Sequence, residues 1–127
     1  MMAAAARNFR MVFVMAGSED EAGRIANTLV EERLAACVNI IGPARSVYRW
    51  QGAVENASEY LLLIKTHSRH FRKLERRVTE LHSYEVPEIV ATTLVAGSRP
   101  YLEWLADSTR PARRPSPEQS RRRGVHA

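Results

Sequence analysis

The chain has 127 residues, 45% apolar and 26% charged, which is room for one ordinary globular domain and excludes a collagen-like, membrane-spanning or wholly disordered chain. A net charge of +5 and a pI near 10 suggest nucleic-acid binding until the charge is localised. Arg110 to Ala127 carries six arginines against one acid, Glu118, so residues 1–109 balance to zero and the electrostatic case for a DNA- or RNA-binding domain falls away.

In chain order, residues 1–8 read as a disordered lead. The β-rich run Met11-Val-Phe-Val-Met15 within Phe9–Ala16 predicts a buried strand, stopped by Gly17-Ser18. Ser18 with Glu21 three residues on forms a capping-box pattern. Behind it Ala22, Ile25, Ala26, Leu29 and Val30 mark one face of a helix that ends near Leu34 to Ala36. Cys37 to Trp50 returns to strand character, with Gly42-Pro43 implying a bulge or an edge position because proline cannot donate to a ladder. Gln51-Gly52 supplies a turn into a third strand, Ala53 to about Thr66.

Arg69 to His82 is a second amphipathic helix, with Phe71, Leu74, Val78 and Leu81 on its apolar face. Ile89 to Ala96 makes a fourth strand. Gly97-Ser98 then opens a last helix, with Pro100 in its first turn and Tyr101, Leu102, Trp104 and Leu105 as its apolar part. Residues 110–127, rich in proline and arginine, read as a disordered basic tail after a domain at 9–109.

The order β-α-β-β-α-β plus a terminal helix is the ferredoxin-like, split βαβ α+β arrangement. Its two middle strands of about 14 residues would reach roughly 45 Å, against a radius of gyration near 13 Å for a hundred-residue domain. A hairpin that overhangs its own domain while carrying Tyr48 and Trp50 needs a partner subunit to cover it, so an oligomer is expected.

Chemistry-bearing patterns are few. There is no Gly-x-Ser-x-Gly elbow and no Gly-rich phosphate loop, and the lone Cys37 sits in a strand as a small hydrophobe. One cysteine fits a reducing compartment, and the run Met11–Ala16 is too short to cross a bilayer, so the expected location is cytoplasmic. His67-x-x-His70 reads as a solvated pair at a helix start, and His126 lies in the tail. His82-Ser-Tyr-Glu-Val-Pro-Glu88 packs an imidazole, a phenol and two carboxylates into seven residues. It is either a ligand site or a helix-terminal histidine interacting with the dipole beside hydrated acids. A hydrolase using Glu85 or Glu88 as base lacks a positioned nucleophile or acid partner.

Glu31-Glu-Arg-Leu-Ala-Ala-Cys-Val-Asn39, Ser46-Val-Tyr-Arg-Trp-Gln-Gly52, Leu62-Leu-Ile-Lys-Thr66, His82-Ser-Tyr-Glu-Val-Pro-Glu-Ile89 and Tyr101-Leu-Glu-Trp-Leu105, in order and in register, resemble the CutA family of divalent-cation tolerance proteins. The resemblance implies a ferredoxin-like fold, a homotrimer built through the long strands and a non-enzymatic part in tolerance of copper and other divalent metals. In some bacterial members copper is assigned to a Cys ending the first strand and a His-His pair closing the second helix. Met15, Leu81 and His82 stand at those positions here, so the implied copper or other divalent-metal site reduces to His82 with Met15 and is weak. The ligand-cleft candidates, expected at a subunit boundary, are Tyr84, Glu85, Glu88, Trp50 and Lys65. Architecturally similar PII-type trimers bind nucleotides between subunits. They supply the alternative of a sensor for a small anionic metabolite, with Lys65 and Arg49 as anion partners.

Overall fold

Along β1 (Phe9–Ala16) Val12, Val14 and Ala16 are fully buried while Met11, Phe13 and Met15 are only half-buried, the alternation of a strand with two unlike faces. The buried set meets Leu62 and Ile64 of β3 (Ala53–His67), Ile25 and Leu29 of α1 (Glu19–Glu31), and Leu74 and Val78 of α2 (Phe71–Leu81) in one core. The structure is a computed structural model that describes residues 5–111. Within that span β2 (Cys37–Trp50) and β4 (Ile89–Thr93) complete an antiparallel sheet of order β2-β3-β1-β4, and α3 (Arg99–Ser108) follows. This is the expected ferredoxin-like α+β arrangement.

Local chemistry accounts for most boundaries. Ser18 caps α1 by accepting from the Glu21 N–H at 3.1 Å, and Glu19, Asp20 and Glu21 load its first turn. The helix ends at Glu31, earlier than its apolar spacing predicts, because Arg33 turns left-handed at φ 60° and Leu34 and Ala35 fold back onto the Leu29 carbonyl. Arg33 then donates to the carbonyls of Asp107 and Arg110, tying this turn to the end of α3. Arg110, assigned above to the tail, is therefore held by the domain. Ala6–Asn8, assigned above to the lead, forms a 3-10 turn, with Ala6 packed against the cluster under α3. The remainder of both terminal assignments, residues 1–4 and 112–127, lies outside the described residues.

A 3-10 turn at Ser68–His70 takes the place expected for the first turn of α2. β4 stops at Thr93 because β1 offers no further partner: Thr93 pairs Arg10, and the last bond runs from the Leu94 N–H to the Phe9 carbonyl. Gly42-Pro43 proves to be both things proposed for it. The ladder shifts register between Ile41 and Ala44, the Gly42–Pro43 peptide is cis, and β2 is an edge strand.

Two features position the site. α1 and α2 cover one sheet face, whereas α3 covers only one end of the other through Phe9, Ala36, Leu102 and Leu105. Phe13, Met15, Leu61, Leu63 and Val90 lie on that second face, where no helix of the described residues covers them. In addition, β1 pairs β3 only from Tyr60 onward, so Ala44–Glu59 forms a two-stranded ribbon beyond the sheet. Seven paired residues on each strand give it a reach of about 23 Å. Gln51 and Gly52, both at positive φ (48° and 80°), close it in the two-residue geometry that matches strand twist.

Candidate ligand cleft beside the ribbon

The two-residue turn sets the ribbon's register: Trp50 faces Ala53, Tyr48 faces Glu55 and Ala44 faces Glu59. Alternation therefore puts Ser46, Tyr48, Trp50, Glu55 and Glu59 on one side of the ribbon, and Arg45, Arg49 and Val54 on the other. The first side looks toward the loop after α2. Between them lies a cleft of about 640 Å³, lined by Met15, Tyr48, Trp50, Glu55, Glu59, Tyr84, Glu85 and Glu88 among others. Of the sequence-derived candidates, Met15, Trp50, Tyr84, Glu85 and Glu88 are thus brought together.

His82, Lys65 and Arg49 are not part of this lining. Lys65 lies six residues along β3 from Glu59, about 20 Å away, and bonds Asn39 beside Cys37. Arg49 sits on the far side of the ribbon. Within one chain neither expected anion partner serves the cleft.

His82 does structural work beneath it. The ring is buried, its Nε2–H donates to the Met15 carbonyl at 2.7 Å, and its Nδ1 accepts from the Tyr84 N–H at 3.0 Å. A carbonyl can only accept, so these bonds specify the neutral ring protonated at Nε2. Both nitrogens are occupied by backbone, and Met15 meets the imidazole through its carbonyl oxygen. Met15 and His82, expected as metal ligands, thus meet through a backbone carbonyl, and a metal ion at this ring would have to displace a backbone partner. Among the described residues no three His, Cys, Asp or Glu side chains are grouped to hold a metal ion.

Tyr84 packs at a 49° tilt against His82 with ring centroids 4.7 Å apart and donates from its hydroxyl to Glu59 Oε2 at 2.9 Å. Burial first, then the bond to Glu59 and the nearby Glu59 and Glu21 charges, push its pKa up to about 12. At neutral pH it is a hydroxyl donor. It lies so close over Gly17 that a Cβ there would sit 3.1 Å from its oxygen. The loop itself is held by Glu21, which accepts from the Gly17 N–H at 3.1 Å and the Ser83 N–H at 2.8 Å. Burial alone would raise the Glu21 carboxyl, but hydrogen bonds from Ser83 and Gly17 hold it below its usual range. The pair His67 and His70 is not solvated as expected: His67 packs edge-on against Phe9 at 5.3 Å, and His70 bonds the Thr109 carbonyl.

Glu55, Glu59 and Glu21 were not apparent as site residues from the sequence. The Gln51-Gly52 turn carries enough information to pair Glu55 with Tyr48 and Glu59 with Ala44. Nothing local says that the ribbon face lies beside residues 84–88.

Comparison with known proteins agrees with this architecture. The profile described as "CutA1 divalent ion tolerance protein" matches residues 10–108. The chain is 52% identical over 99 residues to "Divalent-cation tolerance protein CutA" of Thermus thermophilus, covering 78% of this chain and 96% of that one. It is 44% identical over 100 residues to "Protein CutA, chloroplastic" of Arabidopsis thaliana, of which it spans only 55%. The solved Thermus thermophilus divalent cation tolerance protein superposes with a TM-score of 0.78 at 51% identity, over 80% of this chain and 98% of that one. On profile, identity and fold together, the chain belongs to the CutA1 divalent ion tolerance family.

Proposed function

We propose that the protein serves tolerance of divalent metals, copper included, as a cytoplasmic homotrimer that performs no enzymatic turnover. The observation that carries this reading is the uncovered apolar surface on the ribbon and the second sheet face. Trp50, Val47 and Val54 are each more than half exposed on a ribbon that no other strand of the described residues joins, and Ile41 and Val90 are similarly open on the sheet face. A surface of this kind on a long hairpin is an aggregation hazard unless copies of the chain cover it, and three copies joined through the long strands would do so. Family membership supports the link to metal tolerance. Copper binding is weak in this reading, because the His82 ring must give up a backbone hydrogen bond to ligate and no thiolate stands near it.

Light scattering should give close to three times 14.4 kDa over the micromolar range, and Trp50→Ala should loosen the assembly. A well-folded monomer would overturn the trimer. Calorimetric copper titration should give weak binding that falls further in His82→Ala. Tight binding that the substitution leaves unchanged would show that the metal is held elsewhere.

A further inference from the structure

Charges that cancel in the sequence are separated in the fold. β1 begins, β3 ends, α2 begins and α3 ends at one end of the sheet, opposite the ribbon. Arg7, Arg10, Arg33, Arg69 and Lys73 stand there, and no carboxylate of the described residues lies within ion-pair distance of any of them. The acids of this end are largely engaged already: Glu32 with Arg77, Glu75 with Arg72 and Asp107 with Arg110. Glu31, closing α1, is left over. The first turn of α1, the ribbon and the 83–88 loop hold their acids at the opposite end.

Contacts join these cations into one surface. Arg10 donates to the carbonyls of Arg7 and Phe9, and the Phe9 ring meets His67. His67 and His70 have ring centroids 6.5 Å apart, and Arg69 lies against His70. His70 bonds the Thr109 carbonyl, next to the Arg110 carbonyl that takes the Arg33 guanidinium. The two imidazoles register the resulting field. Burial first, then Arg69, His70 and Arg10, lowers the His67 pKa. Burial, opposed by the Thr109 bond and reinforced by Arg69 and Lys73, lowers that of His70, and no carboxylate offsets these charges at either ring.

A trimer joined through the ribbon and the second sheet face would leave this end open. His67 is eight residues along β3 from Glu59, about 26 Å away, where the strands stop and present neither an edge nor a face. The chain also leaves the domain here. Beyond Arg110 and Pro111, residues 112–127 add five arginines against Glu118 alone, with Val125 as their one large aliphatic residue. Cations spread over several elements suit a ligand of repeated charge, and arginine forks match phosphate oxygens two at a time. A bilayer surface would call for an apolar anchor, which residues 112–127 do not offer.

We propose that this basic end, together with residues 112–127, binds the phosphate backbone of a duplex nucleic acid without reading its sequence.

The test is fluorescence anisotropy of a labelled random-sequence DNA duplex of about 20 base pairs, titrated with the full-length protein in its native assembly. Affinity should fall about tenfold or more between about 50 and 200 mM salt. The double variant Arg69→Gln with Lys73→Gln, both exposed, should weaken binding about tenfold and lower the salt slope by about two. Arg24→Gln with Arg99→Gln removes the same charge from exposed positions outside this end, and should change affinity less than about twofold. Replacing Arg113, Arg114, Arg121, Arg122 and Arg123 by Gln should weaken the duplex and still leave salt-dependent binding to the domain. Equal losses in the two double variants, or no binding once the five distal arginines are replaced, would overturn the proposal. So would tighter binding of phosphatidylserine vesicles than of the duplex, or no anisotropy change at about 100 μM protein in the lower salt.

Discussion

Glu21 is the residue on which the geometry of the 82–88 loop depends. It is 4% exposed, and its two oxygens accept separate backbone N–H groups, Gly17 at 3.1 Å and Ser83 at 2.8 Å. Hydrogen bonds to a charged group contribute about 1.5–3 kcal/mol each, which bounds the pair at about 3–6 kcal/mol. Gly17 and Ser83 are themselves exposed and can rehydrate when the loop lifts, so Glu21→Ala should cost about 3–4 kcal/mol, in the lower half of that range. Glu21→Gln retains one acceptor but turns its NH₂ toward the second N–H, and should cost about 1.5–2.5 kcal/mol. The Glu21 pKa is lowered on folding, so its contribution is present above the unfolded carboxyl value, about 4.3, and is lost as pH falls through the lower folded value. Guanidinium unfolding at fixed protomer concentration measures the loss, with an unchanged slope marking a stability effect. A Glu21→Gln variant within about 0.5 kcal/mol of wild type would refute the view that this carboxylate pins the loop.

Leu74→Ala, at a fully buried position between α2 and the sheet, should cost about 2–5 kcal/mol in the same assay. Val86→Ala on the exposed loop should stay within about 0.5 kcal/mol of wild type. Gly52→Ala has open space for its Cβ but inherits φ +80°, and should cost about 1–2 kcal/mol through backbone conformation alone. His70, which bonds the Thr109 carbonyl, has its pKa lowered chiefly by burial, despite the opposing effect of that bond. Its contribution to stability is therefore full above about 6.5 and declines as pH falls through the lower folded value. Thermal melts from neutral to mildly acidic pH should show wild type losing more stability than His70→Gln, and parallel losses would contradict this.

Where structure is set by neighbours along the chain, sequence reading located it well. The Ser18–Glu21 cap, the period of Phe71, Leu74, Val78 and Leu81, and the two-residue turn at Gln51-Gly52 are short-range devices, and the elements they bound lie within a few residues of expectation. The overhanging ribbon was legible too, because strand length multiplied by rise per residue exceeds what a domain of this size can pair. The misplaced boundaries have tertiary causes. β4 ends where β1 stops offering partners, α1 ends at the left-handed Arg33, and Arg110 is held by a side chain 77 residues earlier.

The cleft divides along the same line. Tyr84, Glu85 and Glu88 could be found because they cluster in seven residues, but His82, the most conspicuous of that cluster, is committed at both nitrogens to the backbone of Met15 and Tyr84. Whether an imidazole faces a ligand or a carbonyl depends on what the fold lays beside it, and that partner is 67 residues away. Glu59 reads in sequence as one of many strand acids. Only the lateral approach of the ribbon to the 83–88 loop buries it against Tyr84. Within one chain Arg49 and Lys65 stand apart from the cleft for the same reason. Alternation turns Arg49 to the far side of the ribbon, and the length of β3 carries Lys65 about 20 Å from the cleft, distances set by three-dimensional packing and absent from any local pattern.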